Sequence, residues 1–464
     1  MKKTYLLAVV FIVSCLKIYA QKEANNWYFG TNAGLSFNGV NPIAIVGGAD
    51  VTLDNSSSIS DSAGNVLFYT NGVTVWNKNN ATMFNGTGLL GNVSGGQSTL
   101  IVPQPKSTKI YYIFSLDGEA GPNGLHYSVV DMSQQAGLGA VTTKNVLMYT
   151  PTTEKIDATY NQTTDSYWVL THDWNNNNFK AYNLSSSGLD TTAVVSSVGS
   201  VNAGGSPYGY DAMGQMTFSP DGSKIASAIY SDGKIELFNF DISTGIVSSP
   251  ITITGYPNAW GTAFSPDGTK LYATVWFTEP VYQFDLSTYV LSNIMASVTI
   301  VGYASGSSGY NAGYLQIGPD NKIYLARVYA DSLAVINTPD SLGAKCNFVN
   351  NGISIAPGSC VAGLSRVPFK RIISEEGINE IKSNTEVNLY PNPNDGTFSV
   401  NINTSNKAYQ IAIYNVLGEK IYQARLNNGI TKLKLDNQSH GIYSYNVVTN
   451  DTGITLKTGK FVIE

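Results

Sequence analysis

Along most of the chain, apolar and polar positions alternate in short runs broken by Gly, Pro, Asn, Asp and Ser. Leu271-Tyr272-Ala273-Thr274-Val275 and Gln410-Ile411-Ala412-Ile413-Tyr414 show the period-two pattern of half-buried strands. The middle of the chain also repeats itself. Phe218-Ser219-Pro220-Asp221-Gly222-Ser223-Lys224-Ile225 recurs as Phe264-Ser265-Pro266-Asp267-Gly268-Thr269-Lys270-Leu271. It returns, degraded, as Ile317-Gly318-Pro319-Asp320-Asn321-Lys322-Ile323-Tyr324. In each copy Pro presets φ, Asp bonds its own backbone and Gly or Asn accepts positive φ, so the pattern predicts a strand, a tight turn and a second strand. The spacings of 46 and 53 residues match one four-stranded blade of a β-propeller.

Looser copies lie upstream. Ser60 to Asn65 precedes Val66-Leu67-Phe68-Tyr69, Val102 to Pro105 precedes Ile110 to Phe114, and Thr159 to Gln162 precedes Tyr167 to Leu170. A further blade is expected from the two ends of the region. Ala362 to Phe369 reads as an inner strand with nothing after it, and Trp27 to Phe37 as outer strands with nothing before them. Joined, they would close the ring without an open edge. The fold class expected is therefore all-β: a seven-bladed β-propeller over 21–371, with six or eight blades as the margin. This region resembles a propeller superfamily that includes tandem Ser-Pro-Asp-Gly repeats of bacterial surface and periplasmic proteins. That resemblance speaks to fold and hardly to function.

The first twenty residues read as an export signal. Lys2 and Lys3 precede an unbroken apolar run from Leu6 to Val13, too short to span a bilayer. Cleavage after Ala20 would leave Gln21 first. The alternative is a lipoprotein cut before Cys15, following Ile12-Val13-Ser14. No later stretch is long and apolar enough for a transmembrane helix.

After Phe369 the texture changes to a polar linker, 372–385, and then to a distinct tail, 386–464. Its ordered motifs are Tyr390-Pro391-Asn392-Pro393 with Gly396 and Phe398, then Leu417-Gly418, Gly441 with Tyr443, and Lys460-Phe461. This set resembles the C-terminal sorting domain of type IX secretion substrates in Bacteroidota (Por secretion, type A). The resemblance implies a small seven-stranded Ig-like sandwich recognised by the outer-membrane translocon. It also implies cleavage in the linker by a sortase-like peptidase, then release or attachment at the cell surface.

Composition narrows the partners. Charged residues are 13% of the chain, against roughly a quarter in ordinary soluble domains. The formal charge is −5 without a basic cluster, which argues against nucleic acid and anionic membrane surfaces. Beyond Cys15 only Cys346 and Cys360 remain, an even pair that in an oxidising compartment is expected to form a disulfide.

Candidate chemistry gathers in the loops that lead into each first strand. Tyr208 and Tyr210, Tyr256 and Trp260, and Tyr303 and Tyr310 occupy three consecutive connections, with His172 and Trp174 in another loop. Aromatic faces among neutral hydrogen-bonding groups suit a glycan or protein ligand, although such rings also serve as core covers. The alternatives are a structural or adhesin-like surface protein, or a metal-assisted hydrolase or lactonase. The hydrolase would draw on His172 with Asp173, Asp211, Asp232, Glu279 and Asp331. No established catalytic motif is present, and no cofactor or metal is expected.

Overall fold

The repeated turns form as their chemistry dictates. Asp221 Oδ1 accepts from the Ser219 hydroxyl at 2.6 Å and from the Ser223 amide at 3.0 Å. Asp267 does the same with Ser265 at 2.6 Å and Thr269 at 2.9 Å. Gly222 and Gly268 follow at φ 71° and 72°, and Asn321 takes the position in the third copy at φ 61°. Each turn launches a strand: Lys224–Ile229, Lys270–Val275 and Ile323–Arg327.

In this computed structural model the described residues are 22–205, 209–306, 312–368, 386–403, 409–415, 419–436, 438–449 and 455–464. The expected signal segment, 1–20, and linker, 372–385, lie outside them. The chain divides into two units, Met1–Ile372 and Ile373–Glu464.

The first unit is a series of antiparallel sheets in chain order, in a propeller-like arrangement. Met216–Phe218 begins one sheet of four strands, Ala259–Phe264 the next and Ala312–Ile317 a third. Thr152–Asn161 begins a five-stranded sheet. The sheets begun by Ser56–Ser60 and Thr99–Pro103 join through Phe84 and Ala140 into one of nine strands. A three-stranded sheet, Asn26–Phe29 with Ala33–Ser36 and Ile43–Ala44, stands at the start.

Successive first strands contact one another and bond across the middle. The Gln97 side chain exchanges bonds with the backbone of Met216 at 2.9 and 2.7 Å. Gln215 Oε1 accepts from the Thr262 and Leu315 amides at 2.9 and 3.2 Å. First strands are buried on both faces, as in Ala259–Phe264, and apolar clusters fill the wedges between sheets.

The closing segment departs from expectation in its pairing. Ser365–Arg366 lies parallel to Ser56–Ser57, and among the described residues the antiparallel tie toward the first sheet is the Thr31–Ser359 bridge. Three serines explain the seam. Ser57 Oγ donates to Arg366 O at 2.5 Å, Ser58 Oγ donates to Asn26 O at 2.6 Å, and Ser56 Oγ donates to Tyr28 O. Their hydroxyls fasten one strand to both flanking segments, and Ser58 Oγ also meets Ser365 Oγ at 2.8 Å.

The expected disulfide is absent. Cys346 and Cys360 are both free and buried. The reason is packing: Cys346 belongs to the cluster around Tyr272 and Ile336, and Cys360 to the cluster around Trp27 and Phe29. Each thiol is held as a small apolar group, and burial pushes Cys360 up to about 12.

In the second unit, Glu386–Tyr390, Thr397–Asn403 and Gly429–Lys434 form one sheet. Tyr409–Tyr414, Lys420–Leu426, Gly441–Thr449 and Thr455–Ile463 form another. Phe398, Tyr443 and Phe461 lie in their common core.

Candidate functional site

Four successive sheets place an aromatic residue just after their second strand, on the rim that also carries the connections into the first strands. Trp174 follows Ser166–Asp173, Tyr230 follows Lys224–Ile229, Trp276 and Phe277 follow Lys270–Val275, and Tyr329 lies beyond Ile323–Arg327. Phe277 and Tyr329 take φ of 65° and 57° and remain 50% and 53% exposed. Bulky side chains in the left-handed region cost of order 1–2 kcal/mol each. Water gains two apolar faces where the core would ordinarily have claimed them.

These rings continue inward as a chain of contacts. Tyr210 meets Tyr230 at 6.1 Å, Tyr230 meets Trp260 at 5.6 Å, and Trp260 meets Trp276 at 4.6 Å. Trp276 then reaches Phe277 at 5.8 Å. At the buried end Trp260 stacks on Tyr314, with centroids 4.8 Å apart and planes within 5°. Ala362 of the closing segment packs against that pair.

Beneath the rings, buried charges fix the loops. Glu154 accepts from the Gly96 and Glu119 amides, both at 2.6 Å, and burial raises its pKa. Lys155 Nζ donates to the carbonyls of Asp211, Ala212 and Met213, and burial lowers it to about 7. Asp211 Oδ1 accepts from the Asp232 amide at 2.9 Å, so its carboxylate ties the connection to the neighbouring turn. Burial raises Asp211 as well.

The residues singled out in the sequence divide. Tyr210 and Trp260 belong to the ring chain, Trp260 at its buried end. Trp174 lies half-buried against Gly209. Tyr303 is 56% exposed at the end of an outer strand. Tyr256 is buried on Tyr282 and Phe284, at 5.1 and 5.5 Å, as a cover of the core. Tyr208 and Tyr310 lie outside the described residues.

His172 is sequestered. Its Nδ1 lies 2.7 Å from the Asp173 carbonyl, its ring stands edge-on to Phe179 at 4.6 Å, and burial pushes it down to about 3. Asp173 pairs with Lys180 at 2.9 Å, and that ammonium lies 3.7 Å over the Tyr149 ring. Among the described residues no three His, Cys, Asp or Glu side chains are placed to share a metal ion.

Sequence reasoning missed Tyr230, Trp276, Phe277, Tyr314 and Tyr329. For all but Tyr314, which lies within the first strand Ala312–Ile317, the legible signal was positional: an aromatic within two residues of the end of a second strand, repeated from sheet to sheet.

The tail has its own geometry. Asn392 of Tyr390-Pro391-Asn392-Pro393 accepts from the Val462 amide at 2.9 Å and donates to Lys460 O at 3.4 Å. Asn394 exchanges backbone bonds with Val462 and Glu464, and Gly396, at φ 90°, accepts from Leu435. Phe398 meets Phe461 at 4.9 Å, and Phe461 meets Tyr443 at 5.8 Å. The opening motif is thus stitched to the final strand. Leu417 and Gly418 lie outside the described residues.

Residues 388–464 match the family model of the secretion system C-terminal sorting domain. The tail is a type IX sorting domain. It marks the protein for export to the cell surface or extracellular space and for interaction with the secretion machinery. No helix among the described residues is long and apolar enough to cross a membrane.

No curated protein sequence matches the chain significantly. Among solved structures, a functionally unknown protein from Desulfotomaculum acetoxidans is 13% identical, with a TM-score of 0.42, covering 73% of this chain and 96% of its own. A proposed 6-phosphogluconolactonase from Bacteroides uniformis is also 13% identical, with a TM-score of 0.37 and coverages of 80% and 95%. The extracellular domain of a proposed hybrid two-component system from B. thetaiotaomicron is 13% identical, with a TM-score of 0.43 and coverages of 95% and 56%. No role passes from them to this chain.

Proposed function

We propose that the first unit is a binding module displayed by a Bacteroidota-type cell, and that the aromatic rim takes its ligand, a neutral glycan. On this reading the unit is a seven-bladed propeller. Its last blade combines the closing segment with the first sheet, and the tail is an Ig-like sandwich cut away by a sortase-like peptidase.

The carrying observation is the pair Phe277 and Tyr329. Both are exposed and left-handed, and Phe277 ends a ring system that begins with Trp260 and Tyr314. Backbone strain held at an exposed aromatic is better matched to recognition than to folding. Sugar C–H faces stack on such rings, while neighbouring Asn, Ser and backbone groups take hydroxyls. Neutral stacking also fits a chain so poor in charge. The hydrolase alternative is weaker because its imidazole, His172, is buried and already bonded.

A glycan-array screen of the purified full-length protein, with and without EDTA, tests this. Neutral glycans should be retained equally in both conditions, and raising the salt should leave retention unchanged. Retention lost with EDTA would point to metal-dependent chemistry. A blank array would remove the glycan reading.

A further inference from the structure

We propose that the opposite rim, where the first-to-second-strand turns lie, holds a second binding site, a cavity of about 440 Å³ that takes a small organic carboxylate. Most sheets contribute the outer end of their first strand to its wall, as at Ile59, Ala158, Ala263 and Leu315. Its size is that of an ordinary small-molecule pocket.

The hydrogen-bond balance of its lining selects the ligand. Asp157 is largely engaged: Oδ1 accepts from Arg366 Nη2 at 2.8 Å and from the Ala158 amide at 2.9 Å, and Oδ2 accepts from the Phe218 amide at 2.8 Å. The donors are in surplus. Among the described residues, Arg366 Nε and Nη1 have no hydrogen-bond acceptor, and neither does the Thr217 hydroxyl, although both residues are more than nine-tenths buried. Buried donors without partners are costly, and a guanidinium with idle N–H groups matches carboxylate oxygens.

Around these polar groups the wall is stiff and apolar. Pro103 and Pro105 share one connection, Pro220 and Pro319 come from two other turns, and Pro368 from the closing segment. Such a wall would accept the carbon skeleton of a compact acid while the floor takes its charge. Lys106 lines the cavity too, as do the carboxylates of Glu23 and Asp61, the latter already accepting from the Ala63 and Asn65 amides of its own turn. None of these residues belongs to the aromatic rim, so the two sites stand or fall separately.

The test is thermal stabilisation and calorimetric titration of the full-length protein with glucuronate, galacturonate, glutamate, citrate and inorganic phosphate, and with glucose as the uncharged control. At least one carboxylate should bind with Kd below about 1 mM and raise Tm with concentration. The uncharged control should not. Thr217→Val and Arg366→Lys should each weaken binding about tenfold or more. Thr108→Trp, at an exposed mouth position, should block binding with Tm unchanged. Phe277→Ala should leave this binding intact, which separates it from the glycan reading. The proposal is overturned if no carboxylate binds at about 10 mM. It is equally overturned if glucose binds as well as glucuronate, if only phosphate binds, or if Thr108→Trp binds like the parent.

Discussion

Burial moves two side chains of the first unit in directions that oppose each other in stability. His172 falls from 6.5 to about 3, so its contribution is complete above pH 6.5 and is lost as the pH falls toward 3. Asp50 rises from 3.8 to about 7 through desolvation, so its contribution is complete below pH 3.8 and is lost as the pH rises through 7. His172→Gln should therefore flatten the acid limb of the stability curve, where the parent loses up to about 1.4 kcal/mol per pH unit. Asp50→Asn should gain stability at pH 8 relative to pH 4. Urea melts at pH 4, 6 and 8 check both, and identical pH profiles for parent and variants would contradict them. In the sequence His172-Asp173 looked like chemistry because adjacent polar residues at a strand end suggest exposure. Ser166–Asp173 is buried along its whole length, so alternation carries no information about which face meets water.

At the scale of elements, the turns were legible because their chemistry is local. Asp221 bonds within its own turn, and Asp267 does so while its own amide donates to Asp340 Oδ1 at 3.0 Å. Those bonds hold both carboxyls below the usual range despite partial burial. Asp221→Ala and Asp267→Ala should each cost about 1–2 kcal/mol by denaturant titration, with a smaller cost at pH 3, where the carboxylate advantage is fading. The closing strand was not legible in its pairing. A parallel ladder between Ser56–Ser57 and Ser365–Arg366 depends on hydroxyls some three hundred residues away, and no local pattern encodes it. Ser57 Oγ donates to Arg366 O and accepts from the Ile101 amide at 2.9 Å. Ser57→Ala leaves both groups unpaired in the core and should cost about 2–4 kcal/mol. The loss should appear as lower stability of the whole first unit in one cooperative transition. A separate early transition confined to a chain end would argue against closure.

For the whole molecule, the sequence separates delivery from recognition. The described motifs of the tail were readable because their residues have structural duties within one small unit: Asn392 on the last strand, and Phe398 and Tyr443 on Phe461. Removing 388–464 should leave the first unit folded but retained in the periplasm of a type IX-competent host, as measured by surface labelling of intact cells. Normal display of the truncated protein would contradict this. The ligand was less readable, because its rim is assembled from residues that only the sheet order brings to one side. Tyr256 and Tyr303 occupy similar loop positions, yet one covers the core and the other faces water.

The measurement bearing most directly on the binding role is the affinity of an array-selected neutral glycan for the full-length protein and for a Phe277→Ala, Tyr329→Ala, Tyr303→Ala variant. Tm is recorded in parallel. Exposed rings contribute little to folding, and alanine keeps the Cβ that makes left-handed backbone costly, so the strain at both positions is unchanged. The variant should therefore keep its Tm within a few degrees, about 1 kcal/mol in stability, while affinity falls by about a hundredfold. Unchanged affinity, or a loss of affinity matched by a collapse in Tm, would contradict a ligand site on this rim.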